Sequence, residues 1–500
     1  MDQSGEPEPI LNHRVLLLDG TVTPLVLTVD GLLRWSDKGH RCLSVEKEVL
    51  GFSTDGPKIK IKAIVEDGDG LFCFGSRGAL VRKVFVFQPL SEDSHRLWCL
   101  KLREFIDLLG RPKRLFVFVN PFGGKRAASK TFLDYVKPLL EDAEIDITLQ
   151  ETEYQRHAEE VAYSLDLTKY DGIICVSGDG ILVEVVNGLL RRSDWVVAIK
   201  TPLGVVPAGT GNGMAKSLLH SVGDPCTACN ATLAIIRGHK CSLDVATILQ
   251  GEAKHFIVLM LAWGLVADID IESEKYRWMG SARLDFYALQ RMLSLRHYRG
   301  GVSFVPAPGF EDYGEQTRYD NETDSIVDVG SLGEGEPINI QRHGYQGPNI
   351  NLKELNWRKI DGPFISVWLH NVPWGAENTL AAPDAKMSDG FLDLILVRDC
   401  PKLSLLSLMS DLSNGKHVKS PFVTYIKVKA FILKPGVQVE QPDREGIIDA
   451  DGEVLARGRG TFTSGQKTLM QYDKLQISVH QGLATLFSPL AIDQIKWPRS

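Results

Sequence analysis

The order of apolar and polar positions along the chain changes twice. The first part alternates apolar and polar residues around Asp-Gly steps, which favours antiparallel strands joined by hairpins. The middle part alternates continuous apolar runs such as "LFVFVN" with amphipathic segments, a pattern typical of buried parallel strands followed by helices. The last part is rich in apolar runs of strand length, with one helical segment around 280–296. These changes predict a β-rich module at 1–110, a doubly wound α/β domain at 111–240 and a mostly β domain at 241–500.

One helix is predicted at the end of the first module, in "SEDSHRLWCLKLREFIDLLG". Ser91 or Ser94 is the expected N-cap. The expected apolar stripe consists of Leu97, Trp98, Leu100 and Phe105. Short antiparallel strands closed by a helix that carries a tryptophan resemble a pleckstrin-homology-type domain.

Composition narrows the class of protein. The 500 residues carry a net charge of −7, with no basic tract that would indicate nucleic-acid binding. The longest apolar stretch, from about Phe256 to Ala267, is shorter than the roughly 20 residues that a bilayer span needs. The acidic N-terminus does not have the pattern of a secretory signal. We therefore expect an intracellular, cytosolic protein without a membrane span.

Two further segments carry structural predictions. The eight cysteines are scattered, and the C-x-x-C pair Cys226 and Cys229 lacks a second ligand pair, so reduced thiols are expected rather than a zinc site. Residues 311–356 are polar, acidic and poor in aliphatic side chains, which predicts a disordered insertion.

Three glycine-rich turns follow predicted buried strands and open predicted helices. They are "NPFGGKRAA" (120–128), "SGDGILVEVVNG" (177–188) and "PAGTGNGMA" (207–215). Because the carboxyl ends of parallel strands meet at one edge of a sheet, these turns should direct backbone N–H groups and helix N-termini at a common anion. None of them matches a P-loop or a clean G-x-G-x-x-G fingerprint. A nucleotide phosphate is still the expected anion.

Two aspartates stand out chemically. Asp179 lies between glycines in the second turn, where it could accept a proton from an alcohol or hold magnesium through water. The alternative is an Asp-Gly turn that caps a helix. Asp270 has apolar neighbours and needs a cation, which could be a substrate amine or a salt-bridge partner, Lys275 or Arg277.

The motifs "NPFGGK", "SGDG" followed by Glu184, and "PAGTGN" resemble the nucleotide-binding signature of the diacylglycerol kinase-like lipid kinase superfamily. Within it, "LAWGLVADIDIESEKYRWMG" (261–280) is similar to the lipid-site motif of sphingosine kinases, or long-chain base kinases. The resemblance runs from about residue 111 to the C-terminus. It implies an α/β nucleotide domain, a β-sandwich lipid domain, and the use of ATP and Mg²⁺ at a site between them.

The resemblance also implies residue roles. Asp179 would accept the hydroxyl proton in catalysis and would hold the metal through water. The implied nucleotide contacts are Asn120, Pro121, Phe122, Gly123, Gly124, Lys125, Thr152, Glu153, Tyr154, Gln155, Arg156, Glu184, Gly209, Thr210, Gly211, Asn212, Arg277, Arg283, Asp451, Gly452 and Glu453. The implied substrate contacts are Ser177, Gly178, Asp179, Gly180 and Asp270. Family members usually carry an asparagine where Arg156 stands, so this chain departs from the family pattern at the implied adenosine contacts.

The implied reaction is the ATP-dependent phosphorylation of the primary hydroxyl of sphingosine and related long-chain bases, at a peripheral membrane surface. The alternatives are a ceramide kinase, whose substrate has no charged amine for Asp270 to bind, and a non-catalytic lipid sensor. The segment 283–300 places Phe286, Leu289, Met292 and Leu293 on one stripe, with arginines outside it. Such a helix can bind a calmodulin-like partner or a membrane, although packing on its own domain is the more common use.

Overall fold

The computed structural model describes residues 8–37, 39–66, 80–124, 126–280, 282–319, 344–462 and 468–490. The strands are β1 (Pro9–Leu16), β2 (Val22–Thr28), β3 (Leu32–Ser36), β4 (His40–Ser44), β5 (Val49–Asp55), β6 (Lys58–Glu66), β7 (Leu80–Pro89), β8 (Arg114–Val119), β9 (Asp146–Glu151), β10 (Gly172–Ser177), β11 (Leu203–Pro207), β12 (Lys240–Gln250), β13 (Ala253–Ile257), β14 (Met260–Gly264), β15 (Tyr298–Pro306), β16 (Glu315–Thr317), β17 (Trp357–Asp361), β18 (Ser366–His370), β19 (Trp374–Ala376), β20 (Thr379–Leu380), β21 (Leu392–Val397), β22 (Val423–Gln438), β23 (Ile447–Ala450), β24 (Glu453–Arg457) and β25 (Leu475–Phe487).

The α-helices are α1 (Glu92–Leu108), α2 (Ala128–Thr131), α3 (Lys137–Asp142), α4 (His157–Ser164), α5 (Asp179–Arg191), α6 (Trp195–Ala198), α7 (Gly213–His220), α8 (Ala228–Arg237), α9 (Leu265–Glu272), α10 (Ala282–Leu293) and α11 (Lys402–Asp411). A π-helical turn, Phe132–Val136, joins α2 to α3, and a 3₁₀ segment, Ser273–Met279, follows α9.

The N-terminal module is a seven-stranded sheet in the order β4-β3-β2-β1-β7-β6-β5, followed by α1. Ser91 caps α1 as predicted, because its side chain accepts a hydrogen bond from the N–H of Ser94. The predicted apolar stripe is wrong in part, since Leu97 and Leu100 are exposed. The helix instead buries Trp98, Leu102 and Ile106, which follow each other at a spacing of four residues.

Parallel strands form the α/β half of the large sheet in the order β9-β8-β10-β11. Two buried apolar clusters, one containing Phe116 and Leu182 and the other Val117 and Ile235, pack against these strands and the helices around them. The continuous apolar runs of the sequence thus correspond to strands buried on both faces.

The β-rich remainder is hydrogen-bonded to the α/β half through β25, the last strand of the described residues. β25 runs antiparallel to β12 and β22, and it meets β11 in parallel at Leu203 and Leu486. The apolar segment "KHFIVLMLAWGLVAD" (254–268) contains most of β13, then β14, and then the start of α9. The change occurs at Gly264, whose φ of +88° and close approach to Ile365 favour glycine.

The predicted disordered insertion is ordered at both of its ends. β16 pairs with β17, and Tyr345 is buried against Trp195 and Phe256. Disorder was therefore the wrong prediction for residues 311–319 and 344–356. Residues 320–343 lie outside the described part of the chain.

Candidate active site

Three glycine turns meet at the carboxyl ends of β8, β10 and β11. Gly124 has a φ of +52°, and a Cβ atom there would lie 2.9 Å from the carbonyl carbon of Gly209. A Cβ atom at Gly209 would lie 2.3 Å from the Cα of Gly178. The three backbones therefore touch at positions that have no room for a side chain, which leaves their N–H groups close to one location.

Asp179 is the first residue of α5 and is 8% exposed. Its carboxylate accepts the N–H groups of Gly213 and Met214, both at 2.9 Å, at the start of α7. The side chain thus caps a neighbouring helix rather than its own. Burial raises the pKa of Asp179, while the two N–H bonds oppose that rise. A carboxylate with a raised pKa is better suited to accept a proton.

Glu184, one turn further along α5, holds the turn between β9 and α4. Its carboxylate accepts the N–H groups of Arg156 and Ala158 at 2.9 and 3.0 Å. Burial raises the pKa of Glu184 to about 7. Arg156 is the residue that departs from the family pattern. Its guanidinium donates two hydrogen bonds to the Glu159 carboxylate of α4.

Other predicted nucleotide residues shape the turns that carry them. The side chain of Asn120 accepts the N–H groups of Phe122 and Gly123, which forms an Asx turn. Asn212 has a φ of +59° and bonds both to Gly209 and, at 2.6 Å, to the carboxylate of Glu377. Of the remaining predicted residues, Lys125 and the side chain of Arg277 lie outside the described part of the chain.

The segment after β23 returns to the nucleotide turns. Asp451 accepts the N–H groups of Val258, Leu259 and Met260, and burial raises its pKa to about 7. Glu453 accepts a hydrogen bond of 3.1 Å from Gln155. Its carboxylate would also lie 3.5 Å from a Cβ atom at Gly180. The segment 451–453 therefore stands next to the turn that holds Asp179.

Asp270 lies on the other side of this segment. A Cβ atom at Gly452 would be 3.9 Å from its carboxylate, and the Arg283 guanidinium is also 3.9 Å away. Of the two predicted salt-bridge partners, Lys275 places its ammonium over the rings of Tyr276 and Tyr287 instead. The side chain of Arg277, the other predicted partner, lies outside the described part of the chain. The Arg283 guanidinium lies near Asp270. The predicted contact of Arg283 with the nucleotide phosphates stays a prediction.

Sequence reasoning missed two residues of this region. Asp449 is completely buried beside Asp270. It could have been noticed as an acid within the apolar strand "GIIDADGE". Glu377 reaches Asn212, and its backbone N–H bonds to Gly211, from a part of the chain with no sequence signal for that contact.

Helix α10 is oriented differently from the prediction. Phe286, Leu289 and Leu293 are exposed, whereas Arg283 and Arg291 are buried. The arginines point inward because acidic side chains lie on that side of the helix. Arg291, for example, is 3.8 Å from the Asp268 carboxylate. The expectation that the apolar stripe packs on its own domain was therefore wrong, apart from the buried Met292.

Two families account for both halves of the site. The diacylglycerol kinase catalytic domain matches residues 114–248, and the YegS C-terminal NAD kinase beta sandwich-like domain matches residues 360–467. The glycine turns lie in the first match and the returning segment 451–453 in the second. The fold is that of a lipid kinase of the diacylglycerol kinase type followed by a β-sandwich domain.

Individual relatives narrow the class. Sphingosine kinase 1 of Arabidopsis thaliana is 60% identical over 97% of this chain and 97% of its own length. Sphingosine kinase 1 of Homo sapiens is 34% identical over 70% of this chain and 88% of its own. Ceramide kinase of Homo sapiens is 31% identical over 68% of this chain and 65% of its own. The chain belongs to the sphingosine kinase family.

Proposed function

We propose that this protein transfers the γ-phosphoryl group of ATP to the primary hydroxyl of sphingosine and related long-chain bases. The observation that carries the proposal is the segment 451–453, which lies between the Asp179 turn and Asp270. This arrangement supports a single cleft in which a phosphate and a cationic headgroup lie near each other. The names of the relatives support the same class of substrate.

In this proposal the glycine turns bind the phosphates and Asp179 receives the hydroxyl proton. Backbone N–H groups at the turns and the start of α5 stabilise charge on the transferred group. The N–H bonds from Gly213 and Met214 fix the Asp179 carboxylate in orientation. A second lone pair on each oxygen stays available to the alcohol. The main contribution of the chain is thus positioning and charge stabilisation.

Magnesium is part of the proposal through the nucleotide. Among the residues that the structure describes, no three His, Cys, Asp or Glu side chains are grouped as a metal site. Mg²⁺ commonly needs only one or two carboxylates, with phosphates and waters completing its shell. Asp179 fits such a role through water. When bound, Mg²⁺ would neutralise charge on the ATP phosphates.

Asp270 favours a free base over ceramide. A protonated amine gives this carboxylate a cationic partner, whereas N-acylation removes that charge. A purified protein should therefore consume ATP with sphingosine or phytosphingosine and not with ceramide or diacylglycerol, compared side by side. Turnover of ceramide but not of free bases would instead select the ceramide kinase alternative. Absence of turnover with all four lipids would favour the lipid sensor.

We further propose that α10 and α11 contact the membrane in which the substrate resides. The structure describes no helix that is both long and apolar enough to cross a bilayer. Met292 of α10 and Leu405 of α11 lie in one buried cluster, so the two helices are neighbours. The exposed apolar side chains around them are Trp278, Phe286, Leu289, Leu293, Leu403 and Leu406. An apolar surface beside the lipid site suits a peripheral membrane contact.

Sedimentation with phosphatidylcholine vesicles tests this contact. Leu293→Asp should reduce the bound fraction several-fold, because a charge would enter the apolar interface. Leu108→Asp is the matched control, since Leu108 is equally exposed on the N-terminal module. Equal loss in both variants, or in neither, would contradict the proposed surface.

The calmodulin-like partner at 283–300 and the pleckstrin-homology-type identity of the first module stay predictions.

A further inference from the structure

Strand β23 carries an acid where an apolar residue is expected. Ile448 and Ala450 pack into the core of the β-rich region, and side chains alternate along a strand, so Asp449 faces the opposite side, toward α9. Its cross-strand neighbour on β14 is Ala262. The side chain of Ala262 therefore offers the Asp449 carboxyl no hydrogen-bond donor.

Among the described residues, no cation forms a salt bridge with Asp449. It is completely buried, and neither of its oxygens makes a hydrogen bond of ordinary geometry with the described residues. Its polar neighbours are the Asp270 carboxyl on α9, the Gly452 N–H and the Asp451 carboxyl on its own segment. Arg283 and Glu274 approach from the Asp270 side, and the Arg283 guanidinium is 3.9 Å from Asp270. A buried acid that lacks a partner is costly unless a ligand supplies one.

We propose that Asp449 and Asp270 together bind the ammonium group of the long-chain base. This inference rests on the proposed function and adds a second acceptor to it. An ammonium group has three N–H donors and a full charge, so two facing carboxyls satisfy it better than one. An amide nitrogen has one N–H and no charge, so an N-acylated lipid leaves one acid of the pair without a partner. Asp449 is thus a specificity-determining residue.

The closeness of the Asp449 and Asp270 carboxyls also affects how many protons the site binds. Asp449 is fully buried and the Asp270 side chain is 26% exposed. Two adjacent carboxyls in this location do not both stay ionised without a cation, and burial together with Asp270 raises the pKa of Asp449 well above its ordinary range. In the free protein the pair holds a proton between its oxygens. When the ammonium group binds, both carboxyls face a positive charge and that proton leaves to solvent. Binding of the base is therefore coupled to release of about one proton.

The test is the Asp449→Asn variant, assayed with a short-chain sphinganine. The KM for the base should rise about tenfold or more, with kcat and the KM for ATP within about threefold of wild type. The thermal midpoint should stay level or rise, because an unpaired buried acid has been removed. Glu252→Gln is the control, since it removes an exposed charge from the turn between β12 and β13 and should change the KM less than about twofold.

The outcomes separate two failures. Wild-type protein that phosphorylates no long-chain base would contradict the proposed function itself. Wild-type turnover together with an unchanged KM in Asp449→Asn would overturn this inference alone. If the Asp449→Asn variant does not fold, a second measurement on wild type tests the inference. Binding of short-chain sphinganine is measured by calorimetry in two buffers of different ionisation enthalpy. Release of about one proton supports the acid pair, and no release contradicts it.

Discussion

Two groups of acids in this molecule differ in how many hydrogen bonds they accept from backbone N–H groups. On the nucleotide side, Asp179, Glu184 and Asp451 each accept at least two backbone N–H bonds. On the lipid side, Asp270 and Asp449 face each other without comparable donors. The backbone bonds of the first group fix the shape of loops, and in our proposal the second group binds a cation from outside the chain. Hydrogen bonding to the backbone thus separates the two groups of acids.

Asp179→Asn should have the largest effect. Loss of the proton acceptor is expected to lower kcat by about 10²–10⁴-fold, while ATP and base still bind. Steady-state kinetics at saturating ATP and base measure this change. Asp194→Asn, an exposed acid of the same domain, is the control and should keep kcat. A kcat within threefold of wild type in Asp179→Asn would place this residue with Glu184 as a loop-shaping acid only.

Asp270→Asn should act on the lipid side alone. The KM for the base is expected to rise by about 10–100-fold, since a charge-assisted interaction of about 1.5–3 kcal/mol is lost. The KM for ATP should stay within about threefold, and both constants come from the same kinetic assay. A rise in the KM for ATP instead would place Asp270 and its partner Arg283 on the phosphate side. That result would contradict the division of the acids into a nucleotide group and a lipid group.

Glu184→Gln should act on the nucleotide side alone. Glutamine keeps one carbonyl acceptor, so the N–H of either Arg156 or Ala158 loses its partner and the turn before α4 loosens. We expect the KM for ATP to rise by about 3–10-fold and the KM for the base to stay constant. Glu141→Gln on the exposed end of α3 is the control. An effect on the base and not on ATP would reverse the assignment of the two groups.

The smallest effect is a pH dependence of stability from the same residue. The pKa of Glu184 is about 7 in the folded protein and near 4.5 when unfolded, so the folded state holds the proton more tightly. Its contribution to stability is complete below pH 4.5 and is lost as the pH rises through 7. Relative to Glu184→Gln, wild type should lose on the order of 1 kcal/mol of unfolding free energy between pH 5 and 8. Urea unfolding at both pH values checks this.

A difference between the two proteins that does not change with pH would contradict the burial of an ionisable Glu184. Asp194→Asn serves again as the reference. The exposed Asp194 carboxylate has its pKa lowered by Arg192, so it titrates below this window.

The sequence predicted the nucleotide half well because its signals are local. Continuous apolar runs identified the parallel strands, and glycines after each run identified the turns that meet at Gly124, Gly178 and Gly209. The orientation of α10 was not predictable in this way. Periodicity assumes that apolar residues face inward, but Arg283 and Arg291 face inward, toward Asp270 and Asp268 respectively.

The pairing of Asp449 with Asp270 also escaped the sequence, for another reason. Each acid is visible as a charged residue in an apolar segment, but only the packing of α9 against β23 brings them together. The same holds for Glu377 and Asn212. Contacts between distant segments depend on tertiary packing, for which a single chain carries no local signal.

Strand β25 has a consequence for the order in which the protein matures on the ribosome. It lies next to β11 and completes the sheet that carries the glycine turns, although it is the last described strand. Until residues 475–487 emerge from the exit tunnel, the edge of β11 has no neighbour on that side. We therefore expect the nucleotide half to stay incomplete throughout most of synthesis, so that a stalled nascent chain lacking β25 is sensitive to proteases in its kinase half.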